Sequence, residues 1–166
     1  MPIRHATAAD LPAIMHIVRE TIAIMHESGN DQWDHTYPTP GDFLQDIASG
    51  TLHVDAAETG SLRGFACIDS CEPEEYAPLP WQTDPPSLVI HRMAVSPAFR
   101  REGIGKALLD FAETKASEAT ARSLKTDTHT ANPAMNALLQ ACGYRPVGRI
   151  RFKGKAKPFI CYEKNL

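Results

Sequence analysis

The 166-residue chain holds no apolar run approaching a bilayer span, and its start, Met1-Pro2-Ile3-Arg4-His5, holds no signal-peptide core. A cytoplasmic protein with no membrane partner is the expectation. A basic surplus is absent too. The formal net charge of -3 argues against a nucleic-acid-binding surface, which usually carries a strong excess of Lys and Arg. Cysteine is scarce, and Cys67, Cys71, Cys142 and Cys161 form no CxxC pair. No two of the seven histidines stand at i, i+4. No metal site is therefore expected, and the cysteines read as small buried apolar residues in a reducing compartment. Internal repeats, low-complexity tracts and linkers are also missing, so one domain over residues 1–166 is expected.

What is present alternates between strand and helix signals. Ile3–Ala6 reads as a short strand, and Thr7 with Asp10 as a helix start. Leu11, Ile14, Met15, Val18, Ile22 and Met25 then form one apolar helical face that ends near Ser28-Gly29. Thr39-Pro40 opens a second helix, stopped by Gly50. Residues 51–57 and 62–68 read as a hairpin around Thr59-Gly60-Ser61. Residues 69–86 hold five of the thirteen prolines, which excludes a central strand. A loop that long is often functional. Ser87–Val95 is the clearest strand. A helix from Ile104 to about Ala119, a strand at 123–128, a helix between Asn132 and Gly143, and strands at 144–152 and 158–163 complete the chain. The order β-α-α-β-β-β-α-β-α-β-β implies an α/β fold, one mixed sheet with helices on its faces.

The chemistry concentrates after Val95. A strand end, a turn and two glycines at a helix start make a phosphate cradle, because glycine admits close backbone approach and the first helical turn presents unpaired N–H groups. Arg100, Arg101 and Lys106 add positive charge there. The segment Arg100-Arg101-Glu102-Gly103-Ile104-Gly105-Lys106 fits neither GxxxxGK[ST] nor GxGxxG, which disfavours an ATP or dinucleotide site.

In Arg100-x-x-Gly103-x-Gly105, Met93-Ala94-Val95, and Asn132 followed by Gly143-Tyr144, the chain resembles the GNAT superfamily of acyl-CoA-dependent N-acetyltransferases. The resemblance implies a GNAT-type fold, a central mixed and mostly antiparallel sheet with a splayed strand pair and helices on both faces. It implies acetyl-CoA as cosubstrate. It also implies contacts to that molecule from Met93, Ala94 and Val95, from Arg100, Arg101, Glu102, Gly103, Ile104, Gly105 and Lys106, and from Asn132. Met93 N–H would be the oxyanion donor. The implied reaction is direct acetyl transfer to a primary amine in a ternary complex, with a small-molecule acceptor preferred. Protein or peptide acetylation, or acyl-CoA binding without catalysis, are the alternatives. Self-association as a homodimer is compatible with the family.

One departure stands out. The family's general-acid tyrosine, seven residues after the asparagine, is Leu139 here. For the base, Asp127 stands where some members place a glutamate, although it also reads as a structural carboxylate bound to a neighbouring loop. His91, sharing parity with Met93 and Val95, could relay a proton through water, since an imidazole titrates near neutrality. A core histidine is the alternative. Trp33, Tyr37, Glu74 and Glu75 are the candidate acceptor contacts. The tryptophan could equally be core and the two glutamates a solvated patch.

Overall fold

Helix α1 (Leu11–Glu27) buries Ile14, Ile17 and Val18, the face that the apolar spacing specifies, and each such side chain contributes about 1.5–3 kcal/mol on burial. It ends at Ser28, with Gly29 at φ 73°, the left-handed conformation that glycine adopts without cost. Helix α2 (Pro40–Ala48) is closed reciprocally at its start. The Asp42 N–H donates to Thr39 Oγ1 at 3.2 Å, and the Thr39 N–H donates to Asp42 Oδ2 at 2.8 Å.

This computed structural model describes residues 2–152 and 154–166; Met1 and Lys153 lie outside them. Strands β1 (Ile3–His5), β2 (Leu52–Ala56), β3 (Leu62–Asp69), β4 (Ser87–Val95), β5 (Ser123–His129), β6 (Arg145–Ile150) and β7 (Phe159–Asn165) form one sheet. Its order is β1-β2-β3-β4-β5-β7-β6, and only β4 and β5 run parallel. Helices α3 (Ile104–Glu118) and α4 (Pro133–Ala141) complete the element order expected from the sequence. The mixed, mostly antiparallel α/β architecture is as anticipated.

Helices α1 and α2 pack Ile14, Val18 and Phe43 against Leu52, Val54 and Phe65. The other face carries α3 and α4, with Leu108, Leu109, Ala112 and Leu139 against Ala66, Ile90, Leu124 and Tyr162. The proline-rich segment 70–86 covers β5 and β7. Tyr76 packs there with Val89, Phe159 and Cys161, and the Glu163 carboxylate accepts from the N–H groups of Gln82 (2.9 Å) and Thr83 (3.1 Å). Proline leaves this segment unable to join a ladder, so its order comes from side chains gripping the sheet.

The cysteines divide. Cys67 and Cys161 are buried, and burial pushes the Cys67 thiol up to about 11. Cys142 is half-buried and Cys71 is exposed, so the expectation of four buried cysteines is corrected at Cys71, which sits in the irregular segment just beyond β3. Among the described residues, no helix is long and apolar enough to cross a membrane.

Candidate active site

Strands β4 and β5 pair only over Ser87–Val89 and Ser123–Lys125. Beyond that level β4 runs toward α3 and β5 toward α4, leaving Ile90–Val95 without a strand partner on that side. The Thr126 hydroxyl donates to the Ile90 carbonyl at 2.9 Å and satisfies the first group released. A cavity of about 530 Å³ opens at this fork, lined by Ile90–Met93 of β4 and Thr126–Thr128 of β5.

Four consecutive β4 residues reach one cavity because β4 carries a bulge. Phe65 pairs with Ala94 and Cys67 with His91, so three steps on β4 oppose two on β3. The simple alternation that places His91 with Met93 and Val95 is therefore corrected. The bulge also turns Arg92 to the cavity. That guanidinium holds the buried Asp46 of α2 by two hydrogen bonds of 2.7 Å and donates to the Tyr37 hydroxyl at 3.0 Å. Burial disfavours its charge, but the Asp46 and Tyr37 contacts together outweigh burial and the Arg92 pKa rises.

Asp127 lines the cavity and accepts a 2.6 Å hydrogen bond from Tyr76, a fully buried residue of the loop over β5. Burial raises the Asp127 pKa, opposed by the Tyr76 hydrogen bond and then by the nearby His91. Asp127 thus bonds a neighbouring loop, as its structural reading expects, and it also lines the cavity. His91, the second candidate, is half-buried beside it. Its Nε2 lies 2.7 Å from Asp69 Oδ1, and although burial pushes the Asp69 carboxyl up, the His91 contact together with the Cys71 N–H and Arg92 outweighs it and the pKa falls. The result is a carboxylate–imidazole dyad next to a carboxylate–phenol pair.

The glycine turn expected between strand and helix is present at the start of α3. Gly103 is the N-cap of α3 at φ 79°, preceded by Arg101 at φ 65°. Among the described residues no side chain caps the helix, and its first backbone bond is Ala107 N–H to Gly103 O. A Cβ at Gly103 would meet nothing within 4 Å, so φ alone calls for glycine there. At Gly105 it would lie 2.8 Å from Leu138 Cδ2, so this glycine also lets α4 pack close. Arg100, Arg101 and Glu102 are exposed, while Ile104 is buried and anchors the helix. Such a mouth suits the diphosphate of coenzyme A. Lys106 is exposed and paired with Asp110 at 2.7 Å.

The remaining candidates separate. Trp33 is buried on Phe65, at 6.3 Å between ring centres, yet it is among the cavity-lining residues; so is Tyr37, whose hydroxyl accepts from Arg92. Glu74 and Glu75 lie on a short 3-10 turn outside the cavity lining. Asn132 lines the cavity while its side chain caps α4 by accepting from the Met135 N–H at 3.2 Å. Leu139 is buried at the cavity wall, an apolar surface where the family places a phenol. The sequence reading missed Tyr76, Asp69, Arg92 and Asp46. Arg92 carried a usable signal, since a charge inside an apolar strand demands a partner.

A family profile described as the Acetyltransferase (GNAT) family matches residues 18–144. Among solved structures, a GNAT-family acetyltransferase from Streptococcus agalactiae is 27% identical, covers 99% of this chain and 94% of its own, and superposes with a TM-score of 0.85. A GNAT acetyltransferase from Listeria monocytogenes is 25% identical over 99% and 94% of the two chains, with a TM-score of 0.75. A ribosomal-protein-alanine N-acetyltransferase from Brucella melitensis, 23% identical over 100% of both chains at a TM-score of 0.74, shares the fold. No curated protein matches. The profile spans most of the chain, its motif residues occupy the fork and the cradle, and this protein belongs to the GNAT family of acetyltransferases.

Proposed function

We propose that this acetyltransferase moves an acetyl group from acetyl-CoA to a primary amine of a small molecule, with Asp127 as the base. The observation that carries this reading is the charge pattern of the cavity. Arg92 is matched by Asp46, Lys155 by Asp34, and His91 by Asp69. Asp127 is bonded only to a neutral phenol, so it is the lining carboxylate, among the described residues, that has no cationic partner of its own. An acceptor ammonium would supply that partner.

The steps follow from the groups present. The α3 N-terminus holds the diphosphate, and the unpaired flank of β4 receives the pantetheine arm as an added strand. Asp127 takes a proton from the ammonium, and the freed amine attacks the thioester carbon. The developing oxyanion is held by the Met93 N–H. The C–S bond then breaks as the nitrogen gives up its second proton to solvent, leaving a neutral amide, and coenzyme A leaves as a thiolate. Solvent can protonate it, because a thiol of pKa about 8.5 is an undemanding leaving group and Leu139 offers no acid. His91, fixed by Asp69, carries protons from Asp127 through water toward the exposed edge of the loop.

A cavity of about 530 Å³ has the size of a small-molecule site, and Trp33, Tyr37 and Arg92 are among its lining residues, which favours a compact amine over a peptide. Acetyl-CoA-dependent thiol release measured over a panel of small primary amines and short peptides tests this. Turnover with compact amines supports the reading, and turnover with peptides alone would replace the acceptor. Coenzyme A binding with no turnover on the whole panel would leave a binding module.

A further inference from the structure

We propose that Tyr76 is the positioning residue of this site, holding Asp127 by Oδ2 so that Oδ1 is the atom that takes the proton from the acceptor amine. The inference rests on the reading of Asp127 as base.

Tyr76 lies at the end of the 3-10 turn Glu74–Tyr76, in a segment whose composition predicts no regular structure. The turn is nevertheless pinned on both sides. Before it, Glu72 binds Lys125 of β5 and accepts from the Ser87 hydroxyl at 3.0 Å. After it, Trp81 packs tilted against the phenol, 5.1 Å between ring centres, and donates through Nε1 to the Tyr76 carbonyl at 2.8 Å. The Lys125 ammonium sits over the Trp81 ring at 4.3 Å, and Glu163 of β7 grips the next two backbone N–H groups. A phenol so held has one place for its single proton, Oδ2 of Asp127. Burial, reinforced by that carboxylate, drives the phenol pKa far upward, so Tyr76 stays a donor throughout the cycle.

Asp127 Oδ1 has no protein partner among the described residues, and it is not among the sealed, unbonded atoms. Asp127 itself is among the residues that line the cavity. The other groups around the carboxylate are His91 from β4, which favours its ionised form, Glu75 from the turn, which opposes it, and the buried Cys161 thiol from β7. None of these occupies Oδ1. When the ammonium N–H bond breaks, the new O–H bond forms at Oδ1 while Tyr76 continues to donate to Oδ2. The substrate therefore meets one oxygen in one orientation.

The test is Tyr76→Phe in the full chain, read in two ways. One is the pH profile of kcat/KM for thiol release. The other is a carbon-13 NMR titration of the Asp127 carboxyl, assigned by its absence in Asp127→Asn. Losing a hydrogen bond to the ionised form should move both midpoints upward by about 1 pH unit. It should lower kcat about tenfold with the acetyl-CoA KM unchanged. If Tyr76→Phe does not fold, 3,5-difluorotyrosine in the wild-type chain, a stronger donor, should move the NMR midpoint downward. An unmoved NMR midpoint overturns the role of Tyr76, whatever happens to the rate. Full activity of Asp127→Asn overturns the reading of Asp127 as base and, with it, this inference.

Discussion

The Thr126 hydroxyl donates to the Ile90 carbonyl at 2.9 Å, at the level where β4 and β5 stop pairing. One side chain thus ends a parallel ladder cleanly and leaves the rest of β4 free for a ligand. Thr126→Val keeps the shape and removes the donor. It should lower stability by about 1–2 kcal/mol, the cost of an unsatisfied carbonyl, with an unchanged m-value in urea unfolding. Thr126→Ser should retain most of the stability.

The phosphate cradle makes a second prediction. Gly103 holds φ 79° with open space around its missing Cβ, so Gly103→Ala costs conformational energy rather than contact. About 1–2 kcal/mol of strain in the α3 cap should weaken coenzyme A binding about tenfold in calorimetric titration. Gly105→Ala should weaken it less, because its Cβ conflicts only with the movable end of Leu138.

Arg92 and Asp46 are both largely buried, at 17% and 9% side-chain exposure. Arg92→Ala strands a buried carboxylate and should destabilise the fold by about 3–5 kcal/mol. The double variant Arg92→Met/Asp46→Leu should recover much of that loss in the same thermal melts. A double variant as unstable as Arg92→Ala would show that the pair does more than neutralise itself.

Asp127 should also leave a mark on stability. Burial raises its pKa in the folded chain above the unfolded value. Its contribution to stability is thus fully present below the unfolded pKa, about 3.9, and is lost as pH rises through the folded one. Asp127→Asn cannot ionise, and its amide oxygen can still accept from Tyr76. The variant should melt above wild type at pH 7 and converge with it near pH 3.5. Equal melting temperatures at both pH values would show that burial does not strain this carboxylate.

Much of this was legible in the sequence, for identifiable reasons. Helices α1 and α3 declare themselves through apolar spacing, and the turn into α3 through Gly103 and Gly105 placed between a strand and a helix. Asp127 and His91 could be nominated because strand positions are local information. Their partners could not. Tyr76 reaches Asp127 across 51 residues and Asp69 reaches His91 across 22. Tyr76 comes from an irregular segment and Asp69 from the last residue of β3, and no periodicity records which side chain meets which. The β4 bulge is equally hidden, since one extra residue changes parity without changing composition. It turns Arg92 inward, and only the pairing register of β3 reveals it.

The central claim, that Asp127 is the base for acetyl transfer to an amine, meets its most direct test in Asp127→Asn. With any amine that wild type turns over, the account predicts a loss of kcat/KM of about 100-fold or more, with coenzyme A binding unchanged. It also predicts a wild-type profile that falls as pH drops through a raised carboxyl pKa. An Asp127→Asn enzyme with wild-type kcat/KM and the same acid limb would contradict it.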